Sequence, residues 1–118
     1  MIAVSLPYPP SANRLWRAVK GRNIKSAAYR EWEGRALVAI AQQRPGHIDG
    51  PYSIHIEATR PDRRRRDLGN LEKPLSDALV SAGVVRDDCE AVRILVEWAP
   101  GEPSKDAVVH IEIHGQKS

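Results

Sequence analysis

The stretch Tyr52-Ser-Ile-His-Ile-Glu-Ala-Thr59 alternates apolar and polar residues from end to end. Successive side chains of an extended chain point to opposite faces, so its even-numbered positions form an apolar face and its odd-numbered positions a polar one. The pattern predicts a β-strand with one face in the core and the other toward solvent. The strand runs into an arginine-rich segment, which we therefore expect to extend from a strand end.

A helix is predicted beyond that basic segment, from Leu71 to about Ala82. Gly83 suits a C-terminal stop, and Pro74 is tolerated in the first turn of a helix. Asn70 belongs to a residue type that often caps helices, so we expect it to cap this one and to position the segment before it. The apolar positions recur at helical spacing and form the expected buried face: Leu71, Leu75, Ala78 and Leu79.

Two elements are predicted before residue 26. The segment from Ile2 to Leu6 is short and apolar, and Pro7 ends it, which is typical of a short strand. Residues 11–25 are rich in basic side chains and predict a loop that turns at Gly21. Trp16 lies in this loop, where it could either stack on a base or anchor the loop.

A first helix is predicted between these elements and the central strand. Ser26 can cap it, and it should run to about Arg44, where Pro45-Gly46 stops it. Its expected apolar stripe consists of Tyr29, Trp32, Ala36, Ala39 and Ile40.

Two further strands are predicted at the end of the chain, over residues 91–99 and 107–114. Residues 100–106 would form the surface hairpin loop between them. The predicted order is strand, helix, strand, helix, strand, strand. This order indicates a single α+β domain over residues 1–118, with a four-stranded mixed sheet and two helices.

The net charge of +3 conceals a strong segregation of charge. Residues 14–30 carry six basic residues and no acidic one, and residues 60–66 carry five arginines beside Asp62. Two basic segments on an otherwise acidic chain indicate a polyanionic partner; two solvated surface loops are the alternative. The residues expected to contact nucleic-acid phosphates are Arg14, Arg17, Lys20, Arg22, Lys25, Arg63, Arg64, Arg65, Arg66 and Lys73.

The single cysteine, Cys89, excludes an intramolecular disulfide and favours a reducing compartment. No histidine lies near it in sequence, so a part-buried structural thiol is favoured over a nucleophile. The N-terminal segment lacks the features of a signal peptide, and no segment is long enough to cross a membrane. We therefore expect a cytoplasmic protein without a membrane partner.

The stretch that carries chemistry is Arg63-Arg-Arg-Arg-Asp67-Leu-Gly-Asn70-Leu-Glu-Lys73, and a second acidic pair, Asp87-Asp88, follows the predicted helix. A helix and turn of this length can return the pair to the neighbourhood of Asp67. Phosphodiester hydrolysis uses carboxylates that hold a divalent cation, and fixed positive charge near the phosphate. The combination predicts a nuclease site in which Asp67, Asp87, Asp88 and Lys73 are catalytic; a solvated turn and a salt-bridge partner for the arginines are the alternatives.

The histidines show no pattern that favours a metal site. His110, Glu112 and His114 alternate on the outward face of the last strand, where they could contact a metal, but a solvated strand face is the favoured interpretation. His47 and His55 offer no partner pattern in the sequence.

Four motifs in a fixed order span most of the chain: Leu6-Pro-Tyr-Pro-Pro-Ser-Ala-Asn13-Arg14, Pro61-Asp-Arg-Arg-Arg-Arg-Asp67-Leu-Gly-Asn70-Leu-Glu-Lys73, Asp77-Ala-Leu79 and Gly83-Val-Val-Arg-Asp87-Asp88. In residue type, order and spacing they resemble the RusA-type crossover junction endodeoxyribonucleases.

The resemblance implies a small homodimer that binds four-way DNA junctions and nicks opposed strands in a Mg²⁺-dependent reaction, with Mn²⁺ able to substitute. Such proteins occur in bacteria, prophages and phages. The family's metal ligands would correspond here to Asp67, to the position of Gly69 and to Asp88. Lys73 would correspond to a catalytic lysine, and the arginines to the DNA-binding surface.

Gly69 departs from the family pattern, which has an aspartate at this position. Loss of one anionic ligand weakens the binding of Mg²⁺. Three interpretations are open: Glu72, Asp77 or Asp87 lends an oxygen; water fills the position; or the protein binds junctions without cutting them well. A positive φ angle before the helix would account for the glycine itself.

The leading hypothesis is a Mg²⁺-dependent endonuclease that resolves Holliday junctions in DNA recombination and repair. One rival is a junction-binding homologue with weak or absent catalysis. Another is an unrelated RNA- or protein-binding module whose arginines bind polyanions without selectivity.

Overall fold

The structure is a computed structural model that describes residues 1–11 and 16–116. Two short 3-10 turns, Leu68–Leu71 and Asp88–Glu90, precede the second helix and the fifth strand. The elements follow one another as β1 (Ile2–Pro7), β2 (Trp16–Val19), β3 (Arg22–Lys25), α1 (Ala27–Gln43), β4 (Tyr52–Ala58), α2 (Glu72–Ser81), β5 (Ala91–Trp98) and β6 (Val108–Gly115).

The predicted α+β architecture with a four-stranded mixed sheet is confirmed. The strand order in the sheet is β1-β6-β4-β5; β6 is antiparallel to both β1 and β4, whereas β4 and β5 are parallel. Strand β4 buries its even-numbered positions and leaves the odd-numbered ones half-buried, as its alternation predicted. One hydrophobic core contains the buried faces of β1, β4 and β6 together with those of both helices.

The predicted hairpin between the last two strands is wrong. Strand β4 lies between β5 and β6, so residues 100–106 connect two strands that are not neighbours. An alternating pattern specifies which face of a strand is buried, but it does not specify the strand with which it pairs. The parallel partner of β4 therefore could not be read from the local sequence.

The predicted basic loop contains a β-hairpin, which is a second correction. Strands β2 and β3 pair in antiparallel register, from Trp16 opposite Lys25 to Val19 opposite Arg22. Lys20 and Gly21, between them, have φ angles of 51° and 73°. Two consecutive residues with positive φ are typical of a type I′ hairpin turn, which confirms the turn at Gly21. The strands bury neither face, so they lack the alternation that would have predicted them.

Helix α1 matches its prediction closely. The Ser26 hydroxyl accepts a hydrogen bond from the Tyr29 N–H at 3.1 Å, and Arg44 ends the helix with a φ angle of 49°. The Trp32 indole N–H donates to the Pro7 carbonyl at 2.8 Å, so this aromatic ring is a core residue that ties α1 to the end of β1. The other buried residues of the helix are Tyr29, Ala36 and Ile40.

Helix α2 has the predicted buried face, but its start is different. The chain first makes the 3-10 turn, and α2 then begins with Leu71 as its N-cap and without a side-chain cap. Asn70 lies inside the 3-10 turn, so its assignment as the helix cap is wrong; Asp67 caps the turn instead. Gly83, with a φ angle of 75°, follows the end of the helix as predicted.

The two edges of the sheet differ. On the β1 edge, the Gln43 side chain accepts a hydrogen bond from the Ser5 N–H at 2.8 Å and donates one to the Ser5 carbonyl at 2.7 Å. These hydrogen bonds use the Ser5 backbone groups with which another strand would otherwise pair. Strand β5 forms the opposite edge and exposes Val92, Ile94 and Leu95.

No helix in the described part of the chain is long and apolar enough to span a membrane.

Candidate active site

Lys73 joins the first turn of α2 to the turn that precedes β5. Its ammonium group donates to Asp88 Oδ2 at 3.1 Å and lies 3.0 Å from Asp77 Oδ1. Hydrogen bonds to Asp77 and then to Asp88 raise the pKa of Lys73 above its usual value. The lysine therefore stays protonated over the working pH range. The structure thus brings together Lys73 and Asp88, which the sequence had predicted as catalytic residues.

Asp67 is held by the backbone of its own turn. Its carboxylate Oδ1 accepts a hydrogen bond from the Gly69 N–H at 3.1 Å, and its carbonyl accepts one from the Asn70 N–H at 3.2 Å. The side chain is exposed and has no basic partner within residues 1–11 and 16–116. A carboxylate that is oriented but not neutralised is suited to bind a cation.

Asp87 makes different contacts from its neighbour Asp88. Its carboxylate accepts a hydrogen bond from the Cys89 N–H at 2.9 Å, and this bond lowers the pKa of Asp87. Cys89 is exposed rather than part-buried, and a hydrogen bond to Asp87 raises the pKa of its thiol. A raised pKa disfavours the thiolate, so the structure offers no support for a cysteine nucleophile.

Several carboxylates act electrostatically on Tyr52, a buried residue at the start of β4. The pKa of Tyr52 is raised to about 12, first by burial and then by the negative charge of Asp88 and Glu72, with smaller contributions from Asp87 and Glu90. Glu72, which had been considered as a substitute ligand, accepts a hydrogen bond from the Ser76 hydroxyl at 2.6 Å.

Gly69 does not need to be a glycine for conformational reasons. Its φ angle lies outside the left-handed region, so the proposed explanation by a positive φ is wrong. A Cβ atom at this position would lie 3.5 Å from Asp67 Oδ1, which is an ordinary van der Waals contact. An aspartate would fit here, and its Cβ atom would lie beside the Asp67 carboxylate.

The four arginines are not equivalent, although the sequence treats them as one run. Arg66 makes two hydrogen bonds to Asp62, at 2.7 and 3.2 Å, and Arg63 pairs with Glu102 at 2.6 Å. Arg64 lies 3.9 Å from Asp62. Arg65 is exposed and has no acidic partner among the residues that the structure describes. Its charge is therefore available to an anionic ligand.

A pocket lies between the end of β1 and the arginine segment. Arg65 and Asp67 both line it, and the guanidinium of Arg66 lies 5.8 Å from the centre of the Tyr8 ring. The lining residues are Tyr8, Pro10, Ser11, Arg65, Arg66, Asp67, Asn70 and Leu71. A phosphate in this pocket would contact a free guanidinium beside the Asp67 carboxylate.

The β2–β3 hairpin is linked to the site through aromatic contacts. Trp16 is half-exposed and packs edge-on against Tyr29, with ring centres 5.8 Å apart. The pKa of Tyr29 is raised first by burial and then by the negative charge of Asp77. The hairpin is therefore linked, through Tyr29, to the helix that carries Asp77 and Lys73. Of the predicted basic residues, Arg17, Lys20 and Arg22 are exposed, Lys25 pairs with Glu33 at 2.9 Å, and Arg14 lies outside the described residues.

Three residues that contact the predicted basic side chains were not predicted to do so from the sequence: Asp62, Asp77 and Tyr8. Asp62 and Arg66 stand four positions apart, and this spacing could have suggested their pairing. Asp77 follows Lys73 at the same spacing, and the sequence places both on one helix face. Tyr8 has no such local signal, because its approach to Arg66 depends on how β1 and the arginine segment pack.

The fold and the site define a class: a small α+β protein that presents cationic side chains beside oriented carboxylates, as proteins that act on phosphate esters do. The profile of the family described as "Endodeoxyribonuclease RusA" matches residues 7–114. The chain therefore belongs to the RusA endodeoxyribonuclease family.

Individual relatives agree with this assignment. A protein of Escherichia coli (strain K12) named "Crossover junction endodeoxyribonuclease RusA" is 44% identical over 101 residues, which cover 83% of this chain and 82% of the relative. A protein of Enterobacteria phage 82 with the same name is 41% identical over 100 residues, or 82% of each chain. Because the chain belongs to this family, the hypothesis that it is an unrelated RNA- or protein-binding module is wrong.

Proposed function

We propose that this protein is a structure-selective DNA endonuclease that resolves four-way junctions in recombination and repair. The proposal rests on the Lys73–Asp88 contact and on a pocket lined by Arg65 and Asp67, neither of which has an oppositely charged partner among the described residues. The relatives of this chain are named crossover junction endodeoxyribonucleases. These relatives come from bacteria and a phage. We propose that this protein likewise acts in the bacterial cytoplasm, on host, prophage or phage DNA.

The proposed metal is Mg²⁺, with Mn²⁺ able to substitute, and the proposed ligands are Asp67 and Asp88. The donor set suits Mg²⁺, which is commonly held by one or two carboxylates and keeps several waters. Lys73 already neutralises part of the charge of Asp88, so a cation there would compete with the ammonium group or displace it. When bound, the ion would supply a polarised water and neutralise charge on the phosphate.

The side chains of the chain supply the remaining functions in this proposal. Arg65 binds a phosphate and sets the position of the DNA strand relative to Asp67. Lys73 remains protonated and stabilises the charge that develops on the phosphate or on the leaving oxygen, after releasing Asp88. Asp77 retains one hydrogen bond to Lys73 and keeps the ammonium group near the site. Asp87 shapes the turn that presents Asp88.

A second candidate function is junction binding with weak or absent cleavage, and Gly69 is the observation that favours it. The position has room for a carboxylate, yet the chain has none there. Within the described residues, Asp67 and Asp88 are not part of any group of three potential ligands that lie within 4.8 Å of one another. A cation at this site would therefore depend on water for more of its coordination.

We also propose that the protein is a homodimer that pairs through the β5 edges of two subunits. The β1 edge is occupied by Gln43, whereas β5 combines an edge position with exposed Val92, Ile94 and Leu95. Two such edges can pair in antiparallel register and form one continuous sheet. A dimer would provide two sites, one for each of two strands of a junction.

Asp67→Asn is expected to reduce the rate of junction cleavage at least about 100-fold, because loss of even an outer-shell partner of a metal ligand costs about 10- to 100-fold. The measurement is nicking of a labelled synthetic four-way junction in Mg²⁺. Affinity for the junction, measured in EDTA, should not fall. Asp106→Asn, in an exposed loop, is the control. Cleavage by Asp67→Asn at the wild-type rate would disprove the site assignment.

Gly69→Asp is expected to lower the Mg²⁺ concentration for half-maximal cleavage by about tenfold, which corresponds to about 1.4 kcal/mol. This is within the range of roughly 1 to 4 kcal/mol for unit charges 4 Å apart near a protein surface. Gly69→Asn has the same size without the charge and should give no such gain. If wild type binds junctions tightly but never nicks them, even in saturating Mg²⁺, the second candidate function is correct.

Arg65→Ala is expected to weaken junction binding more than Arg63→Ala does, because Arg63 must give up Glu102 before it can bind phosphate. The slope of log affinity against log salt concentration should fall by about 1 for Arg65→Ala. Fluorescence anisotropy over a salt series measures both quantities. Equal losses for the two variants would show that the pairing with Glu102 does not matter to DNA binding.

The double variant Val92→Lys, Ile94→Lys is expected to be monomeric at concentrations where wild type is dimeric, because charged residues on an edge strand oppose pairing. Val38→Lys, which changes an equally apolar and 57% exposed residue of α1, should leave the dimer intact. Sedimentation equilibrium measures the mass directly. A dimer that survives the β5 substitutions must use another surface.

A further inference from the structure

The face of the sheet that points away from the helices carries a group of potential metal ligands that the proposed nuclease site does not use. His55 and Glu57 lie on β4, and Glu97 lies on the neighbouring strand β5. One potential ligand atom from each of the three side chains lies within 4.8 Å of the other two. His55 Nε2 is 3.0 Å from a carboxylate oxygen of Glu97.

The backbone holds this group in place. In the parallel ladder, Glu57 is directly opposite Glu97, and His55 is two positions before Glu57 on the same face. Strand β4 pairs with strands on both sides, and the His55 side chain is only 33% exposed. The ligands therefore project from paired strands rather than from loops, which reduces the cost of ordering them around an ion.

The group carries more negative than positive charge, although Arg93 lines the neighbouring pocket with His55 and Glu112. Glu57 and Glu97 are like charges on adjacent, directly opposed positions, an arrangement that destabilises a sheet. Glu112 adds a third carboxylate, 3.9 Å from His55 Nδ1. Among the residues that the structure describes, Glu57 has no basic partner. A divalent cation would relieve this repulsion.

Glu112 lies near the second ring nitrogen of His55, 3.9 Å from Nδ1. A histidine that binds a metal through one ring nitrogen usually donates the other N–H to a carboxylate, which fixes its tautomer and orientation. With Nε2 directed toward Glu97, the Nδ1 atom of His55 is directed toward Glu112. The imidazole nitrogen selects transition metals such as Zn²⁺ over Mg²⁺ or Ca²⁺, which prefer all-oxygen sites.

We propose that His55, Glu57 and Glu97 form a binding site for one Zn²⁺-like divalent ion, with water completing the coordination and Glu112 orienting the histidine. The site is separate from the proposed Mg²⁺ site, because Asp88 precedes β5 while Glu97 lies near its far end, about 20 Å of extended chain from Ala91. The ion would link β4 to the edge strand β5, which β4 alone holds in the sheet.

The test is isothermal titration of the full chain with Zn²⁺, in a Cys89→Ser background that removes the exposed thiol. We expect one binding event that survives the double change Asp67→Asn, Asp88→Asn. His55→Gln and Glu97→Gln should each weaken it at least about tenfold. His47→Gln alters the exposed histidine that pairs with Asp49 at 2.6 Å, and it should have no effect.

A second readout follows the protein rather than the ion. Zn²⁺ should raise the melting temperature and shift the His55 imidazole resonances in the ¹H–¹⁵N spectrum, and the melting shift should be absent from Glu97→Gln. If His55→Gln fails to fold, Glu97→Gln carries the test. Binding that is unchanged in Glu97→Gln, or that disappears with Asp67 and Asp88, overturns the proposal. No DNA is used, so the result is independent of nuclease activity.

Discussion

The parallel pairing of β4 with β5 is the constraint on which the site depends. Parallel neighbours cannot be joined by a tight turn, so the chain must leave the end of β4, cross the sheet and return to the start of β5. This one connection contains the arginine segment, Asp67, Lys73 and Asp88. Residues that are widely separated along the chain meet because the crossover folds back on itself, and the Lys73–Asp88 contact marks where it does so.

Acidic side chains neutralise part of the basic charge in this connection between β4 and β5. Asp62 and Glu102 engage three of the four arginines, and this leaves Arg65 available beside Asp67. Lys73 similarly shares its charge between two carboxylates. Exposed ion pairs of this kind contribute little to stability, but they decide which charges are free to meet a ligand. Arg65 and Asp67 line the same pocket.

The opposite face of the sheet has a different character. Its strands direct three carboxylates, Glu57, Glu97 and Glu112, outward beside His55 and Arg93, so this face is less attractive to a polyanion than the arginine segment is. DNA is thus expected to approach from the side of the crossover. The outward face is left for a different kind of ligand, for which a transition metal ion fits the donor set.

The sequence by itself determined the elements whose signals are local. Alternation defined β4, helical spacing defined the buried faces of α1 and α2, and the Ser26 cap and Gly83 marked helix ends, because each depends on residues a few positions apart. Segregated charge also predicted that the arginine–aspartate segment is functional.

Only the tertiary structure decided the relations between distant segments. It placed β4 between β5 and β6, formed a hairpin from residues with no apolar face, and moved the cap from Asn70 to Asp67. It also separated Arg65 from its paired neighbours and brought Glu97 to His55. Strand pairing and long-range ion pairs depend on how the chain packs, and one-dimensional periodicity carries no information about that.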